Sequence, residues 1–156
     1  MLKMSADSDC GVLALFDIAY HAGGGLTQTR EIASREGLSR GHIEQVFQRL
    51  KRANLVRSAR GPVGGYALAR GAGEITVGDI IRAASGPIRL VACVAEEPQS
   101  RLYCERIHSC VTREIWKTAS DLLMIMFDSV TLTDLCEAAR VKGVRRASEA
   151  QSMYFI

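Results

Sequence analysis

The sequence predicts a mainly helical protein with one small β-hairpin, and three observations support this prediction. Apolar residues recur at helical spacing along most of the chain, in stretches separated by glycines and helix-capping residues. One glycine-rich segment between two short β-prone runs, at 56–69, interrupts the helical pattern. The longest helical stretch, at 112–128, is apolar nearly all round in its second half and therefore needs cover on several sides.

Two helices are expected at the beginning of the chain. The first is predicted at 9–22, with Ser8 or Asp9 as its N-cap and a run of glycines after it. The second is predicted at 28–36, with Thr27 as its N-cap and a glycine at its end.

A third helix is predicted at 40–53, with Ser39 as its N-cap. Its apolar residues share one face at helical spacing, and the opposite face is polar. The second and third helices are joined by a short turn at Gly37, and this pattern predicts a helix-turn-helix whose second member is the recognition helix. The residues expected to face inward are Ile43, Val46, Phe47 and Leu50.

The segments 56–59 and 66–69 flank a glycine-rich turn, which predicts a β-hairpin wing. Glycine-rich loops also bind nucleotide phosphates, but here no Lys-Ser or Lys-Thr pair follows and no helix opens from the loop. A Walker-type nucleotide site is therefore not expected. The predicted fold is mainly α with a small β-hairpin wing, a winged helix-turn-helix domain followed by a long dimerisation helix.

A fourth helix is predicted at 77–85, because Thr76 and Asp79 resemble a capping box and a Gly-Pro pair follows the helix. Residues 88–110 show no regular period and are expected to form a loop. A loop of this length in a compact domain usually has a function.

The helix at 112–128 is expected to pack against its own copy in a homodimer, since its apolar surface exceeds what one chain covers. Thr131 is the expected cap of a last helix that ends near Ala139. Four regions follow from these elements. They are a DNA-binding domain at 1–85, a cysteine-bearing loop at 86–111, the dimerisation helix and a final short helix at 112–139, and a mobile tail at 140–156.

Composition places the chain among globular proteins of one domain, or one domain with an appendage. It has 156 residues, of which 47% are hydrophobic and 24% are charged. No run of about 18 apolar residues is present, so no membrane partner is expected. Residues 1–25 lack the basic start and cleavage region of a signal peptide, so the expected location is the cytoplasm. Five cysteines, an odd number, argue against a disulfide scaffold.

Positive charge is concentrated in the predicted helix-turn-helix. Residues 20–60 contain eight lysines and arginines but only three acidic residues, whereas the whole chain has a net charge of +3. This distribution is typical of a protein that binds a polyanion on one face. Charge alone favours the alternative interpretation, a solvated helix surface.

Three cysteines, Cys93, Cys104 and Cys110, occur within 18 residues of the predicted loop. Cysteine thiolates are the soft ligands that iron–sulfur clusters and zinc prefer, and irregular short spacings are typical of loops that hold metal. A metal-free thiol switch and inert thiols in an ordinary loop are the alternatives. Cys10 and Cys136 lie in predicted helices and are expected to be core or interface residues.

Several motifs together resemble a known family. They are the segment 43–47 in the third helix, 56–66 in the wing, 74–81 around the fourth helix, and the order of cysteine loop, tryptophan-bearing helix and 130–132. On these marks the chain resembles the IscR/NsrR/CymR family of bacterial winged-helix transcription regulators over roughly residues 2–140. The resemblance implies a homodimer with a long dimerisation helix, usually a repressor, that controls iron–sulfur biogenesis or genes for nitric oxide and redox stress.

In the cluster-binding branch of that family, three loop cysteines hold a two-iron two-sulfur or four-iron four-sulfur cluster. Cys93, Cys104 and Cys110 occupy the corresponding places. Five residues separate Cys104 from Cys110, as in the family, whereas ten separate Cys93 from Cys104, where the best-known members have about five. The resemblance therefore implies the same ligands in a longer loop.

The fourth ligand departs from the IscR pattern. IscR-like members have a histidine three positions after the third cysteine, and this chain has Arg113, which cannot bind iron. NsrR-like members use an aspartate of the partner subunit near the start of the first helix, and Asp9 falls there. Asp9 as a plain helix cap and His108 as a local ligand are the alternatives.

The expected DNA contacts follow from side-chain chemistry. Arg40 is suited to a guanine or a phosphate, Glu44 to the amino group of cytosine, and Gln45 to adenine. On the wing, Arg60 is expected to reach the minor groove. A two-fold dimer implies a pseudo-palindromic operator in double-stranded DNA. The full set of expected DNA-binding residues is Ser39, Arg40, His42, Glu44, Gln45, Ser58, Arg60, Gly64 and Gly65.

Two other functions are alternatives to cluster sensing. The same DNA-binding module could carry a zinc site or a cluster-free thiol redox switch. An enzyme is not expected, because no acid–base pair or substrate-pocket motif is present and no catalytic residue is assigned. Visible absorption and metal content of anaerobically prepared protein distinguish these functions.

Overall fold

Six α-helices and one two-stranded antiparallel sheet make up the described part of the chain, which in this computed structural model comprises residues 3–61, 64–94 and 109–147. This confirms the predicted mainly helical architecture with one hairpin. The elements in chain order are α1 (Ala6–Ala22), α2 (Thr29–Glu36), α3 (Arg40–Arg52), β1 (Val56–Ala59), β2 (Gly65–Leu68), α4 (Val77–Ser85), α5 (Val111–Asp128) and α6 (Leu132–Val141). Short 3₁₀ turns occur at Ala72–Glu74 and Ala92–Val94.

Helix α1 begins three residues earlier than the sequence predicted. Ser5 is its N-cap and accepts a hydrogen bond from the backbone N–H of Ser8 at 3.0 Å. The expectation that Ser8 or Asp9 caps this helix is therefore wrong. Four residues that can cap a helix, Ser5, Asp7, Ser8 and Asp9, fall within five positions here, and the sequence pattern does not distinguish among them.

Thr27 is not the cap of α2, so this prediction is also wrong. Gln28 occupies the N-cap position. Thr27 instead forms an antiparallel bridge with Tyr66, in which their backbone N–H and C=O groups are bonded at 2.8 and 2.9 Å. This bridge joins the start of α2 to strand β2 of the wing. Ser39 lies at the N-cap position of α3, as expected, although its side chain makes no capping hydrogen bond.

The threonine caps of α4 and α6 are confirmed. Thr76 accepts a hydrogen bond from the N–H of Asp79 at 3.0 Å, and Thr131 accepts one from Asp134 at 3.2 Å. Thr76 and Thr131 also form an antiparallel bridge with each other. The two helices therefore begin at a common point.

Helix α1 is the centre of the main core and packs against α2, α3, α4 and α6. Its residues Leu15 and Ile18 are fully buried. Burial of side chains of this size stabilises the fold by about 1.5–3 kcal/mol each. The buried Asp17 of α1 accepts two hydrogen bonds from Arg35 of α2, at 2.7 and 2.8 Å, which fixes α2 against α1. The four α3 residues expected to face inward, Ile43, Val46, Phe47 and Leu50, all lie in this core.

Helix α5 contacts the rest of the chain mainly through α4, where Met124 packs with Val77 and Ile81. Much of its apolar surface is exposed: Val111, Ile115, Trp116, Leu122, Ile125 and Met126. No helix within the described ranges has the length and apolar character needed to cross a bilayer.

The predicted mobile tail at 140–156 begins inside α6, which runs to Val141. Residues 142–147 then turn back onto α1. Tyr20 donates a hydrogen bond to the carbonyl of Val144 at 2.7 Å, and the N–H of Ala147 donates one to His21 Nδ1 at 3.0 Å. These contacts link residues more than 120 positions apart, which local patterns do not reveal.

Candidate nucleic-acid interface and cysteine site

The two faces of helix α3 differ clearly in polarity and exposure. Its apolar residues are buried against α1, whereas Arg40, Glu44 and Gln45 are exposed. Ser39, which precedes the helix, is exposed as well. The structure thus places four of the expected DNA contacts on the surface at one end of a single helix.

Glu44 lies among polar neighbours at that end. Arg40 approaches its carboxylate at 3.9 Å, and the hydroxyl of Thr29 in α2 donates a hydrogen bond to it at 3.4 Å. At the exposure of these side chains, 63% and 50% for Arg40 and Glu44, an ion pair contributes about 0–1 kcal/mol. The pair therefore resists rearrangement on DNA only weakly.

His42 differs from the expectation of a freely exposed DNA contact. Its Nε2 lies 2.8 Å from a carboxylate oxygen of Asp7, and Arg49 lies 2.6 Å from the other oxygen. Arg49 also donates a hydrogen bond to the carbonyl of Ala84. The Arg49 guanidinium, with His42, holds the pKa of Asp7 below its ordinary value. The first turn of α1, the recognition helix and the end of α4 are thereby joined by one polar group.

The wing places its polar residues beside α3. Arg60 and Ser58 are exposed, and the hydroxyl of Ser58 accepts a hydrogen bond from Lys51 Nζ at 2.6 Å. A cleft of about 200 Å³ lies between the start of α2, the start of α3 and the wing. It adds residues not singled out from the sequence: Gln28, Thr29 and Arg30. The position of Arg30 in the basic segment 20–60 is the sequence signal that could have identified this part of the cleft.

The glycines of the wing have a packing reason for their identity. A side chain at Gly65 would place its Cβ 2.5 Å from the carbonyl oxygen of Thr27, and one at Gly64 would lie 2.5 Å from that of Ala59. Real Cβ atoms essentially never come this close, so both positions require glycine. Contact of their backbone with DNA phosphate stays a prediction.

Two of the three loop cysteines are associated with the beginning of α5. Cys110 is the N-cap of α5, and Cys93 lies in the turn Ala92–Val94. Arg113, in the first turn of α5, donates a hydrogen bond from Nε to the carbonyl of Cys93 at 3.1 Å. Arg113 therefore does not replace the histidine ligand chemically but holds Cys93 against the helix that Cys110 begins. Cys104 and His108 lie outside the described residues.

Exposure distinguishes the loop cysteines from the other two. Cys93 and Cys110 are half-buried, whereas Cys10 and Cys136 are buried. Burial raises the pKa of the Cys10 thiol to about 11, with smaller contributions from Asp7 and Asp9. Burial also raises the pKa of Cys136. Partly exposed thiols at the positive end of a helix suit an iron–sulfur cluster or zinc, while buried thiols of raised pKa do not.

Asp9 lies within the first turns of α1, with an exposed side chain. Because Ser5 caps α1, the interpretation of Asp9 as a helix cap is wrong. Over the ranges that the structure describes, its carboxylate makes no hydrogen bond or ion pair. The carboxylate is therefore available to bind a group outside its own chain, as the prediction of a cross-subunit contact requires.

A further group of potential ligands was not predicted. Ligand atoms of Asp17, His21 and Glu36 lie within 4.8 Å of one another. The guanidinium of Arg35 donates a hydrogen bond to each carboxylate oxygen of Asp17. His21 Nδ1 accepts a hydrogen bond from the N–H of Ala147. Because Arg35 already pairs with Asp17, this group is interpreted as a structural ion pair rather than a metal centre.

Comparisons with known proteins agree with this geometry. The family described as "Rrf2: Iron-dependent Transcriptional regulator" matches residues 4–138. The regulator IscR of Pectobacterium carotovorum is 32% identical over 149 residues, covering 96% of this chain and 88% of that protein. These relatives are transcriptional regulators and not enzymes.

Solved structures show the same likeness. IscR of T. potens superposes with a TM-score of 0.73 at 34% identity, covering 99% of this chain and 97% of that chain. CymR, the global cysteine regulator of B. subtilis, gives 0.68 at 36% identity, with 88% and 98% covered. An oxidised form of CymR from Staphylococcus aureus gives 0.65 at 30% identity, with 87% and 97% covered. The fold is thus a winged helix, and the chain belongs to the Rrf2 family of DNA-binding transcriptional regulators.

Proposed function

We propose that this protein is a homodimeric transcription repressor whose affinity for DNA depends on an iron–sulfur cluster. The observation that carries the proposal is the Arg113 hydrogen bond, which brings Cys93 to the helix that begins at Cys110. Cys104 supplies the third thiolate in the proposal. Such a cluster provides iron that reacts with oxygen or nitric oxide, or exchanges with the cellular supply. The genes controlled are then those of iron–sulfur biogenesis or of nitric oxide and redox stress.

DNA is bound by the start of α3 and by the wing. Arg40, Glu44 and Gln45 face the major groove, and Arg60 reaches the minor groove. Ser39, Ser58, Gly64 and Gly65 are assigned to the sugar–phosphate backbone. His42 acts differently in this proposal, since its bond to Asp7 makes it a support for α3. A two-fold dimer binds a pseudo-palindromic operator.

The second copy of the chain covers the exposed apolar face of α5. Exposed apolar patches of this kind mark interaction surfaces. In the proposed homodimer, Asp9 of the partner subunit would lie within reach of the cysteine site, as the NsrR-like ligand pattern requires. Asp9 is the proposed fourth ligand, because Arg113 cannot bind iron.

The polar group at Asp7 couples this ligand to DNA binding. Asp9 and Asp7 lie within one turn of α1, and Asp7 is bonded to His42 and Arg49 of the recognition helix. Loss of a bond between Asp9 and a bound cluster would release the first turn of α1, and Asp7 would transmit the displacement directly to α3. Two discrete arrangements of this turn give a physical route from cluster chemistry to affinity.

The second candidate is the same DNA-binding module with a zinc-bound or cluster-free thiol switch. The specific observation that favours it is the likeness to CymR, which has been solved in an oxidised form. Here Cys93 and Cys110 are partly exposed thiols, as a redox-responsive site requires.

Metal analysis and electron paramagnetic resonance of anaerobically purified protein decide between the two. We expect a brown protein that holds iron and sulfide, and loss of its visible absorbance in Cys93→Ala, Cys104→Ala and Cys110→Ala. Cys136→Ala is the matched control, because this thiol is buried in the core, and its absorbance is retained. Full absorbance in Cys104→Ala contradicts the cluster assignment. A colourless protein with one zinc, or without metal, selects the second candidate.

The fourth ligand is tested separately. Asp9→Ala is expected to keep a cluster that is lost more quickly in air, because a carboxylate is a harder and weaker ligand than a thiolate. Its DNA affinity should also respond less to cluster loss. His108→Ala is the comparison and should leave the spectrum nearly unchanged. A changed spectrum in His108→Ala with an unchanged one in Asp9→Ala contradicts the cross-subunit ligand.

A further inference from the structure

The segment after α6 carries an unusual concentration of positive charge. Arg140, Lys142, Arg145 and Arg146 fall within seven residues, and no acidic residue occurs between Glu137 and Glu149. Within residues 3–61, 64–94 and 109–147, none of these four side chains forms an ion pair. Unpaired guanidinium groups at this density favour an anionic partner.

The segment is held in a defined position. Gly143 has a positive φ of 71°, which ends α6 and turns the chain back towards α1. The buried hydroxyl of Tyr20 then bonds the carbonyl of Val144. Arg146 stacks over the Tyr20 ring, with its guanidinium carbon 5.2 Å from the ring centre. The basic side chains therefore form a preorganised surface.

This surface encloses a space suited to a phosphate group. A cleft of about 390 Å³ is lined by three arginines, Arg140, Arg145 and Arg146, together with Tyr20 and the turn at Gly143. Planar guanidinium groups match phosphate oxygens with paired N–H donors. Among the residues that the structure describes up to Ala147, none that lines the cleft is acidic.

The cleft lies next to the helix-turn-helix. His21, which accepts the N–H of Ala147, has its ring nitrogen within 4.8 Å of the Glu36 carboxylate. Glu36 is the last residue of α2, and α3 begins at Arg40 after a three-residue turn. The basic segment is thus fastened beside the turn that leads into the recognition helix.

We propose that the segment 140–146 binds the DNA sugar–phosphate backbone beside the half-site contacted by α3. This inference rests on the DNA-binding function. It adds a second, sequence-independent contact that extends the footprint beyond the recognition helix and the wing. Phosphate contacts of this kind fix the register of a protein on the duplex without reading bases.

The test compares two operator duplexes, one ending at the half-sites and one with about ten further base pairs on each side. Affinity is measured by fluorescence anisotropy at several salt concentrations. Each phosphate contact contributes about 0.9 to the slope of log K against log salt. The wild-type slope is expected to be steeper on the long duplex, and Arg145→Gln/Arg146→Gln should remove that difference. Arg145→Lys/Arg146→Lys keeps the charge and should retain it.

Arg145→Gln alone provides a variant without a packing change, because Arg145 is exposed while Arg146 stacks on Tyr20. It should remove about half of the difference in slope. Equal slopes for the wild type and both glutamine variants overturn the inference. The inference is also overturned if inorganic phosphate at constant ionic strength stabilises the protein against unfolding while the salt slopes of the wild type and the glutamine variants stay equal. That result assigns the cleft to a small anion. Arg40→Ala, measured in parallel, should weaken binding to both duplexes. Unchanged binding of Arg40→Ala to both duplexes would instead contradict the proposed docking of α3.

Discussion

Helices α3 and α5 expose opposite chemistries, although each buries one apolar stripe. The free face of α3 carries Arg40 and polar side chains, whereas that of α5 carries Ile115, Leu122 and Ile125. A charged face gains from a polyanion and loses little in water, while an apolar face gains only when another surface covers it. The difference supports the two proposed partners: DNA for the face of α3 and a second copy of the chain for the face of α5.

The largest expected effect comes from charging the α5 face. Ile115→Glu/Ile125→Glu places two carboxylates where side chains that are 65% and 64% exposed in one chain would be covered by the other. A buried, unpaired ion costs several kcal/mol. We expect dimer dissociation to become easier by at least about 4 kcal/mol, roughly a thousandfold. Sedimentation velocity measures this, with Lys117→Gln on the polar side of α5 as the control. A variant that stays dimeric at micromolar concentration would show that α5 is not the interface.

The next effect concerns the charged face. Arg40→Ala and Arg60→Ala are each expected to lower operator affinity, by about 1–3 kcal/mol if the side chain reads a base. A side chain that only contacts phosphate instead reduces the salt slope by about one. Anisotropy titrations at several salt concentrations separate the two, and Lys117→Gln again serves as the control. Unchanged binding in both arginine variants would mean that α3 and the wing do not dock as proposed.

A smaller effect is expected at Asp7, where α1 is joined to α3. Asp7→Asn removes the charge that Arg49 and His42 share, and should lower the free energy of unfolding by about 1–2 kcal/mol at pH 7. Because these partners hold the pKa of Asp7 below 3.8, this stability is present above pH 3.8 and is lost as pH falls through the lowered pKa. The difference between Asp7→Asn and the wild type should therefore disappear in acid.

Urea unfolding at several pH values measures this effect. Asp9→Asn is the matched control, because its carboxylate has no partner among the described residues, and its change should stay within about 0.5 kcal/mol. If Asp7→Asn behaves like Asp9→Asn, the polar group does not hold α1 to α3.

The smallest effect concerns thiol reactivity in metal-free protein. With a pKa of about 11, about one Cys10 thiol in a thousand is ionised at pH 8. Iodoacetamide should therefore label Cys93 and Cys110 well before Cys10, as peptide mass spectrometry reports. Raising the pH towards 11 should reduce the difference in labelling rate between Cys10 and the two loop cysteines. Equal labelling rates at pH 8 would show that Cys10 is as available as the loop cysteines.

The elements with repeated local signals could be predicted from the sequence. The capping boxes at Thr76 and Thr131 and the apolar stripe of α3 fixed those helices to within about a residue or two. The cap of α1 could not be predicted, because Ser5, Ser8 and Asp9 compete for one role.

The candidate site was predictable only in its residue types. The crowding of cysteines and the arginine-rich segment pointed to the chemistry. The bonds that organise it join distant positions, such as Asp7 with His42 and Arg113 with Cys93. Pairings of this kind depend on tertiary packing, which periodicity and capping rules do not encode.

The bridge between Thr76 and Thr131 has a consequence for folding. It closes a loop of 55 residues that contains the cysteine segment and α5, whereas α2, α3 and the wing pair with one another over shorter stretches of chain. Closing a loop of this length costs chain entropy that grows with (3/2)RT ln n, about 3.5 kcal/mol before the constant. The helix-turn-helix and the wing should therefore assemble first and the bridge later. A nascent chain would then present its DNA-binding surface before it acquires the part that regulates it.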